Sequence, residues 1–252
     1  MIEPLIATVT HPPTAIDLTA VLVGGLSGAF YAVKRRFDIT GVFTIAIVSG
    51  LGGGIIRDVL LQNGPPVALT NYWYLPLVFG AALVGFFFAS LISRARYVLL
   101  VLDPLWMGLY GVVGAQKALN LELSAFAAVL VGCLSAFGGG VLRDLLAGEK
   151  PELVRPGPLN YLAAVFGTVA YVALVAGPSV DKGRAEIVAI ATVFVLRMLA
   201  VKFGWRTSEP VDLPRAVPAV ARRKGLLPDA RQGSKRARRQ RRRGAGRGDT
   251  ER

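Results

Sequence analysis

The residues in this chain best suited to chemistry are charged side chains that interrupt apolar stretches. Arg57-Asp58 and Arg143-Asp144 each stand near the end of a long apolar run. A charge inside a membrane segment is costly and usually faces the interior of a helix bundle or water. We therefore expect Arg57 or Arg143 to pair with a carboxylate from the other half of the chain. The alternative is that both arginines lie near segment ends and extend to the membrane surface.

Three further charges lie in or beside apolar runs. Asp103 precedes Pro104, and a proline within a helix frees a backbone carbonyl that needs another partner. This position either lines water at a break in the helix, or Asp103 begins a helix at the membrane surface. Lys117 is either a movable cation near a pore mouth or a lysine that extends to the surface, and Arg197 presents the same choice.

Each charged pair follows a glycine triplet, and the whole motif occurs twice. Gly52-Gly53-Gly54-Ile55-Ile56-Arg57-Asp58 recurs as Gly138-Gly139-Gly140-Val141-Leu142-Arg143-Asp144, so the chain is a duplication. Three glycines cost about 1 kcal/mol each against alanine in an exposed helix. Two compatible explanations are close packing of helices through small residues and a kink that lines a pathway.

Seven apolar segments must position these residues, and each approaches the roughly 20 residues that a helix needs to cross a bilayer. They are Ile16–Val33, Ile39–Leu61, Tyr72–Ile92, Tyr97–Ala115, Leu121–Leu146, Leu159–Ala176 and Ile187–Phe203. Hydrophobic residues make up 53% of the chain and the mean hydropathy is +0.52. The sequence therefore predicts an all-α integral membrane protein with seven transmembrane helices.

The composition also excludes several functions. Cys133 and His11 each occur alone, so one chain has neither a disulfide framework nor a Cys/His metal cluster. The core contains no Ser-His-Asp set and no carboxylate cluster with ligand spacing. We expect no cofactor, no metal and no enzymatic activity.

Basic residues in the short loops predict the orientation. They follow the first, third, fifth and seventh segments, which places the N-terminus outside and the C-terminus in the cytoplasm of a multi-pass plasma membrane protein. Each copy of the motif belongs to a set of three segments, so the second copy is inverted relative to the first. The predicted divisions are an extracellular segment at 1–15, repeats at 16–92 and 97–176, a seventh helix at 187–205, and a tail at 206–252.

The tail carries ten of the thirteen net positive charges of the chain. Its composition predicts a disordered basic cytoplasmic segment. Lys235–Arg243 contains seven basic residues and no aromatic side chain for base stacking. We expect the tail to bind anionic lipid and no specific nucleic acid.

Residues 16–205 resemble a known family in the doubled Gly-Gly-Gly-x-x-Arg-Asp motif, in the Leu-Leu pairs at 60–61 and 145–146, and in the seven segments. That family is the bacterial membrane proteins with paired glycine transporter domains, which is similar to the trimeric intracellular cation channels. The resemblance implies a homotrimer, a pore inside each protomer, permeation by potassium or other monovalent cations, and kinks at Gly52–Gly54 and Gly138–Gly140.

The expected function is therefore a channel for monovalent cations, potassium above all. The alternative, which the domain's description implies, is a secondary transporter of glycine or a similar small solute. A third possibility is a membrane anchor whose basic tail recruits partners. Glycine-kinked helices would serve a channel or a transporter equally well.

Overall fold

The structure is a computed structural model that describes residues 15–88, 95–155, 160–177 and 180–205. Every regular element within these ranges is helical. The α-helices are α1 (Ala15–Lys34), α2 (Ile39–Leu61), α3 (Val67–Thr70), α4 (Tyr74–Phe88), α5 (Ala95–Asn120), α6 (Ala125–Leu146), α7 (Asn160–Ala176) and α8 (Lys182–Lys202). A 3-10 turn at Glu152–Val154 lies between α6 and α7. Each of the seven predicted segments overlaps one of the longer helices. The one-turn helix α3 is an addition that the sequence did not predict.

Four of these helices are long and apolar enough to cross a membrane, namely α1, α2, α6 and the part of α5 at Tyr97–Asn120. The apolar helices α4 and α7 are shorter. The lipid-facing character is visible on the surface, where Phe87, Phe126, Phe166 and Ile187 are exposed. A surface of this kind is stable in lipid and unfavourable in water. The number of crossings stays a prediction.

The two helices that contain the glycine triplets begin in the same way. The Asp38 side chain accepts a hydrogen bond from the amide of Gly41 and so caps α2, and the Ser124 side chain accepts from the amide of Ala127 and caps α6. Such caps satisfy amides that have no partner within the helix. At the C-terminal end of α2, Gln62 adopts the left-handed conformation with φ 50°.

Helices α2 and α6 pack against each other at the centre of the bundle. Helices α1 and α4 pack on α2, helices α5 and α7 pack on α6, and α1 also packs on α5. Helix α8 packs on α5 and α7, where Val193 lies against Gly108 and Gly167. All eight helices belong to one compact unit.

Several predictions fall outside the described residues. These are the extracellular segment up to residue 14, the end of the third predicted segment at 89–94, and the tail from residue 206, including its predicted disorder.

Candidate functional site

A first cluster of charges surrounds the guanidinium of Arg57, which is fully buried. Its Nη1 and Nη2 atoms donate to the two oxygens of Asp17 at 3.1 and 3.2 Å, and its Nε donates to Asp58 Oδ1 at 2.8 Å. Lys117 Nζ lies 3.2 Å from Asp58 Oδ1 and 3.5 Å from Asp17 Oδ2. The Tyr74 hydroxyl donates to Asp17 Oδ2 at 2.9 Å. The first cluster thus consists of Asp17, Arg57, Asp58, Tyr74 and Lys117, with two carboxylates and two cations.

A second cluster surrounds Arg143, which is also buried. Its Nη1 donates to Asp103 Oδ1 at 3.3 Å and its Nε to Asp144 Oδ1 at 3.2 Å. The Tyr31 ring lies under the guanidinium, 4.4 Å from Cζ, at a distance typical of a cation–π contact. Ser27 Oγ accepts from Arg143 Nη1 at 3.4 Å and donates to Asp103 Oδ1. The second cluster consists of Ser27, Tyr31, Asp103, Arg143 and Asp144.

Burial makes both clusters energetically demanding. Each charged group loses its hydration on entering the bundle, and its ion pairs offset that loss only when hydrogen bonds also satisfy the remaining donors and acceptors. Around Arg57 this condition is met, since Nε, Nη1 and Nη2 all donate to carboxylate oxygens. Removing one partner of such a pair costs about 3–5 kcal/mol because the other charge stays buried.

The two clusters are built alike. In each, the arginine binds an aspartate 40 residues earlier in the chain, Asp17 or Asp103. In each, the aspartate that follows the arginine accepts through Oδ2 from a backbone amide in the next loop, 3.0 Å from Val67 N for Asp58 and 3.1 Å from Glu152 N for Asp144. The duplication of the sequence is therefore a duplication of this ionic arrangement.

Each cluster also includes side chains from the opposite repeat, and in the second these are Ser27 and Tyr31 of α1. Lys117 of α5 reaches the first cluster, and Tyr31 of α1 reaches the second. These two positions are equivalent, since Tyr31 precedes Lys117 by as many residues as Arg57 precedes Arg143. The same position thus supplies a cation to one cluster and an aromatic ring to the other.

The contacts also give the spacing and direction of the helices. Asp17 and Tyr31 lie in different clusters but on one helix, α1, which separates the clusters by about 21 Å at 1.5 Å per residue. Asp103 and Lys117 are equally far apart on α5, in the opposite order. Helices α1 and α5 therefore run antiparallel between the clusters.

The glycine triplets lie where α2 and α6 cross, and their backbones touch. A Cβ added at Gly53 would stand 2.3 Å from the Ser135 carbonyl oxygen, and one at Gly139 would stand 2.6 Å from the Ser49 carbonyl oxygen. Gly52 and Gly138 also meet the opposite helix. The last glycine of each triplet faces an aromatic ring of α5. Gly54 faces Tyr110, and Gly140 faces Trp106.

Both helices are α-helical throughout their triplets. Close packing through small residues is thus directly observed for Gly52, Gly53, Gly138 and Gly139. The helices show no unwound turn in the described residues, and a kink at these glycines stays a prediction. Two hydroxyl groups bind carbonyls of α2 nearby, Tyr110 at Gly50 and Ser135 at Gly53.

The structure corrects several expectations about the charges. The predicted pairing of Arg57 or Arg143 with a carboxylate of the other repeat is wrong, because both bind aspartates of their own repeat. Neither arginine extends to the surface, since both are buried. Lys117 does not extend to the surface either, because it binds Asp17 and Asp58.

The two alternatives for Asp103 are also decided in part. Helix α5 begins at Ala95 and contains Pro104 without interruption. Asp103 therefore does not begin a helix, and it serves as an acceptor for Arg143 within one. The predicted break at this position is absent.

Sequence reasoning missed Asp17, Ser27, Tyr31 and Tyr74. Asp17 was hidden because it stands at the edge of its apolar segment, although its spacing from Arg57 equals that of Asp103 from Arg143. That shared spacing is the signal that would have found it. Tyr74 follows Tyr72 and Trp73, an aromatic group typical of a membrane surface, but its side chain is buried and binds Asp17.

A third set of charges joins the loops that follow α1 and α6. The Arg35 guanidinium binds Glu149, which also accepts from Arg155 Nη2 at 2.9 Å. These hydrogen bonds, first that of Arg35, hold the pKa of Glu149 below its ordinary value. The contact ties the two repeats together at one end of the bundle.

A cavity of about 230 Å³ lies at the junction of α5, α6, α7 and α8, away from the glycine crossing. Gln116, Asn120, Tyr171 and Lys182 contribute polar groups to its wall. Gln116 also donates to Glu186 at 2.9 Å. The cavity is therefore confined to the second repeat and the last helix.

Comparison with known proteins identifies the family. A family model described as "Glycine transporter" matches residues 14–90 and again residues 100–176. The chain belongs to the glycine transporter family. The two matches confirm the duplication that the repeated motif predicted, and the relationship to the trimeric intracellular cation channels is confirmed by solved structures.

This glycine transporter family protein is 37% identical over 156 residues to a UPF0126 membrane protein of Deinococcus radiodurans, a match that covers 62% of this chain and 73% of the relative. It is 34% identical over 207 residues to a UPF0126 membrane protein of Streptomyces coelicolor, covering 82% and 94%. The crystal structure of the trimeric intracellular cation channel orthologue from Rhodobacter sphaeroides is similar with a TM-score of 0.70 and 34% identity, covering 75% of this chain and 96% of that one. The protein is thus a membrane protein, and the regular elements in its described residues are all helical.

Proposed function

We propose that this protein is a membrane channel for monovalent cations, with potassium as its main substrate. The pathway runs inside each protomer, beside the crossing of α2 and α6, and passes between the two ionic clusters. The observation that carries this proposal is a pair of buried charged clusters, about 21 Å apart, on the fold of a family of cation channels. Charged residues within membrane helices are costly, and they commonly mark substrate or ion pathways.

The charges of the clusters favour cations. The first cluster is balanced, with Asp17 and Asp58 against Arg57 and Lys117. The second has Asp103 and Asp144 against Arg143 alone among its members. An excess of carboxylate attracts cations and repels anions, as aspartate and glutamate rings do in cation channels.

The proposed organisation is two inverted repeats of three transmembrane helices, 16–92 and 97–176, followed by a seventh at 187–205. The antiparallel course of α1 and α5 supports the inversion. We place the segment 1–15 outside and the tail 206–252 in the cytoplasm. In this arrangement Gly52, Gly53, Gly54, Gly138, Gly139 and Gly140 stand at the narrowest part of the pathway, as the kink positions of α2 and α6.

The working unit that we propose is a homotrimer in the plasma membrane. The Rhodobacter sphaeroides relative is named as a trimeric channel, and the match covers 75% of this chain and 96% of that one. The basic tail, with seven Lys and Arg residues at 235–243, would attract anionic lipid headgroups by about 1 kcal/mol per basic residue close to the surface.

The second candidate is a secondary transporter of glycine or a similar solute, which the description of the matching family favours. A transporter of this architecture needs a solute site at the interface of the repeats. The crossing of α2 and α6 is filled by backbone contacts, and the cavity near Gln116 lies in one repeat only. Neither feature provides a solute site between the repeats, which counts against the transporter.

One experiment separates the candidates. Purified protein is placed in liposomes, and potassium flux and uptake of labelled glycine are measured in the same vesicles. We expect potassium flux without concentrative glycine uptake. Glycine uptake driven by an ion gradient, with no potassium conductance, would establish the transporter instead.

A matched pair of variants then tests the role of the carboxylates. Asp103→Asn removes a negative charge from the second cluster, so we expect the preference for potassium over chloride, measured from reversal potentials, to fall several-fold. Glu122→Gln removes an exposed charge after α5 and should leave the preference unchanged. Equal selectivity in both variants would remove the second cluster from the pathway.

A further inference from the structure

Helix α8 presents a buried arginine to the second repeat. Its buried face is formed by Ala185, Ala189, Val193 and Arg197, which follow one another at intervals of one helical turn. Val193 lies in a groove made by Gly108 of α5 and Gly167 of α7. Arg197, one turn further along, therefore enters the space between the same two helices.

Two of the three guanidinium nitrogens of Arg197 lack a hydrogen-bond partner. Among the described residues, neither Nε nor Nη1 finds an acceptor, although the residue is only 8% exposed. A buried donor that leaves water without a new partner is costly, and more so when it carries charge. Such a group persists in a membrane helix when it acts with a nearby partner.

Asp103 has one carboxylate oxygen that could accept a hydrogen bond from such a donor. Its Oδ1 accepts hydrogen bonds from Ser27, Trp106 and Arg143, whereas no donor to its Oδ2 occurs within the described part of the chain. The carboxylates of Glu152 and Asp103 both interact electrostatically with the Arg197 guanidinium. Glu152 lies in the exposed 3-10 turn, whereas Asp103 belongs to α5, one of the helices on which α8 packs.

The first cluster shows what a complete set looks like. There, Asp17 receives Arg57 on both oxygens and has Lys117 as a second cation. In the second cluster the position equivalent to Lys117 is Tyr31, which has no positive charge. Asp103 is therefore one cation short of its counterpart.

We propose that Arg197 is the second cation of Asp103, which it binds through Oδ2 in an alternative conformation of the second cluster. Helix α8, which has no counterpart in either repeat, completes the second cluster as Lys117 completes the first. Arg143 and Arg197 then share Asp103. Either arginine can form the ion pair with Asp103 when the other does not. The sharing of Asp103 by the two arginines does not depend on the channel function. Any effect of this sharing on conduction rests on the proposed channel function.

The test is a thermal unfolding cycle in detergent with Arg143→Met, Arg197→Met and the double variant. Arg197→Met alone should change Tm little, and Arg143→Met should lower it while Arg197 takes over Asp103. The double variant leaves Asp103 with neither cation, so its Tm should fall about 5 °C further than the sum of the single changes. Additive changes would show that Arg197 does not share Asp103.

Controls keep the cycle decisive. Arg57→Met combined with Arg197→Met joins different clusters and should be additive. If Arg143→Met cannot be purified, Arg143→Gln takes its place, because glutamine also removes the positive charge but keeps a hydrogen-bond donor for the neighbouring carboxylates. A second cycle combines Arg197→Met with Glu152→Gln. A loss of Tm beyond the sum of the single changes in this cycle, together with additive changes in the Arg143→Met cycle, would assign Arg197 to Glu152 and overturn the proposal.

Potassium flux in liposomes gives the functional arm. Arg197→Met should change the flux at least threefold, and Arg197→Lys should restore most of it. If the wild-type protein conducts no potassium, the proposed channel function fails while the unfolding cycle still decides the pairing. Unchanged flux with a non-additive cycle would confine Arg197 to a structural role and refute its coupling to conduction.

Discussion

At the scale of single residues, the protein buries several charged side chains inside its helix bundle. Arg57 is among the largest fully buried side chains, together with Trp106 and Tyr110. A hydrophobic residue of similar volume would avoid the loss of hydration that a buried ion pair entails. The retention of the same aspartate–arginine–aspartate set in both repeats therefore points to a role beyond stability. In this setting every member of a set is needed to balance the others.

Asp17 provides the test of that balance. Asp17→Asn leaves Arg57 and Lys117 against Asp58 alone, so we expect a loss of about 3–5 kcal/mol in the free energy of unfolding. Thermal unfolding of the purified protein in detergent measures the change, with Glu122→Gln as the control for loss of an exposed carboxylate. Equal melting temperatures for the two variants would show that the first cluster contributes no net stability.

At the scale of elements, the crossing of α2 and α6 determines where everything else stands. The triplets allow backbone contact between the two helices, and each arginine follows its triplet by about one helical turn. The crossing therefore lies between the two clusters. Any residue larger than glycine at the contact points would push the helices apart and separate the clusters from their partners in α1 and α5.

A pair of alanine substitutions measures how closely the helices must approach. At Gly53 the new Cβ would lie 2.3 Å from a backbone oxygen, whereas at Gly80 of α4 it would meet nothing within 4 Å. Gly53→Ala should lower Tm strongly or abolish the monodisperse protein, and Gly80→Ala should leave Tm unchanged or raise it slightly. Size-exclusion chromatography after heating measures Tm and monodispersity for both variants. A stable Gly53→Ala protein would mean that the helices can separate at this point.

The sequence was a good guide to the helices and a poor one to their partners. The seven long helices were predictable because hydropathy over some twenty residues dominates local choice in a membrane protein. The repeat led to Arg57 and Arg143, but not to Asp17 or Tyr74, since a charge at the edge of an apolar run and a tyrosine in an aromatic group have simpler explanations. Which carboxylate meets which arginine depends on helix packing, and a single sequence does not contain that information.

At the scale of the whole molecule, the two clusters define an axis. They are about 21 Å apart along α1 and α5, a large part of the roughly 30 Å core of a bilayer. The charges are unequal along this axis, because Lys117 completes the first cluster whereas Tyr31 stands at the equivalent place in the second. A molecule built from inverted repeats thus acquires two chemically different ends. The proposed orientation places the first cluster toward the outside and the second toward the cytoplasm.

The orientation is tested by asking from which side the two ends can be reached. The loop after α2 contains Asn63, and the loop after α6 contains Lys150; both residues are exposed. Inverted repeats require these equivalent loops to lie on opposite sides of the membrane, whereas a parallel duplication would put them on the same side.

In a Cys133→Ala background, which removes the sole native thiol, Asn63→Cys should react with an impermeant maleimide added to intact cells. Lys150→Cys should react only after the cells are opened, because the short basic loops face the cytoplasm. Labelling of both cysteines from one side would rule out the inverted repeat, and labelling of Lys150→Cys alone in intact cells would reverse the orientation while keeping the inversion.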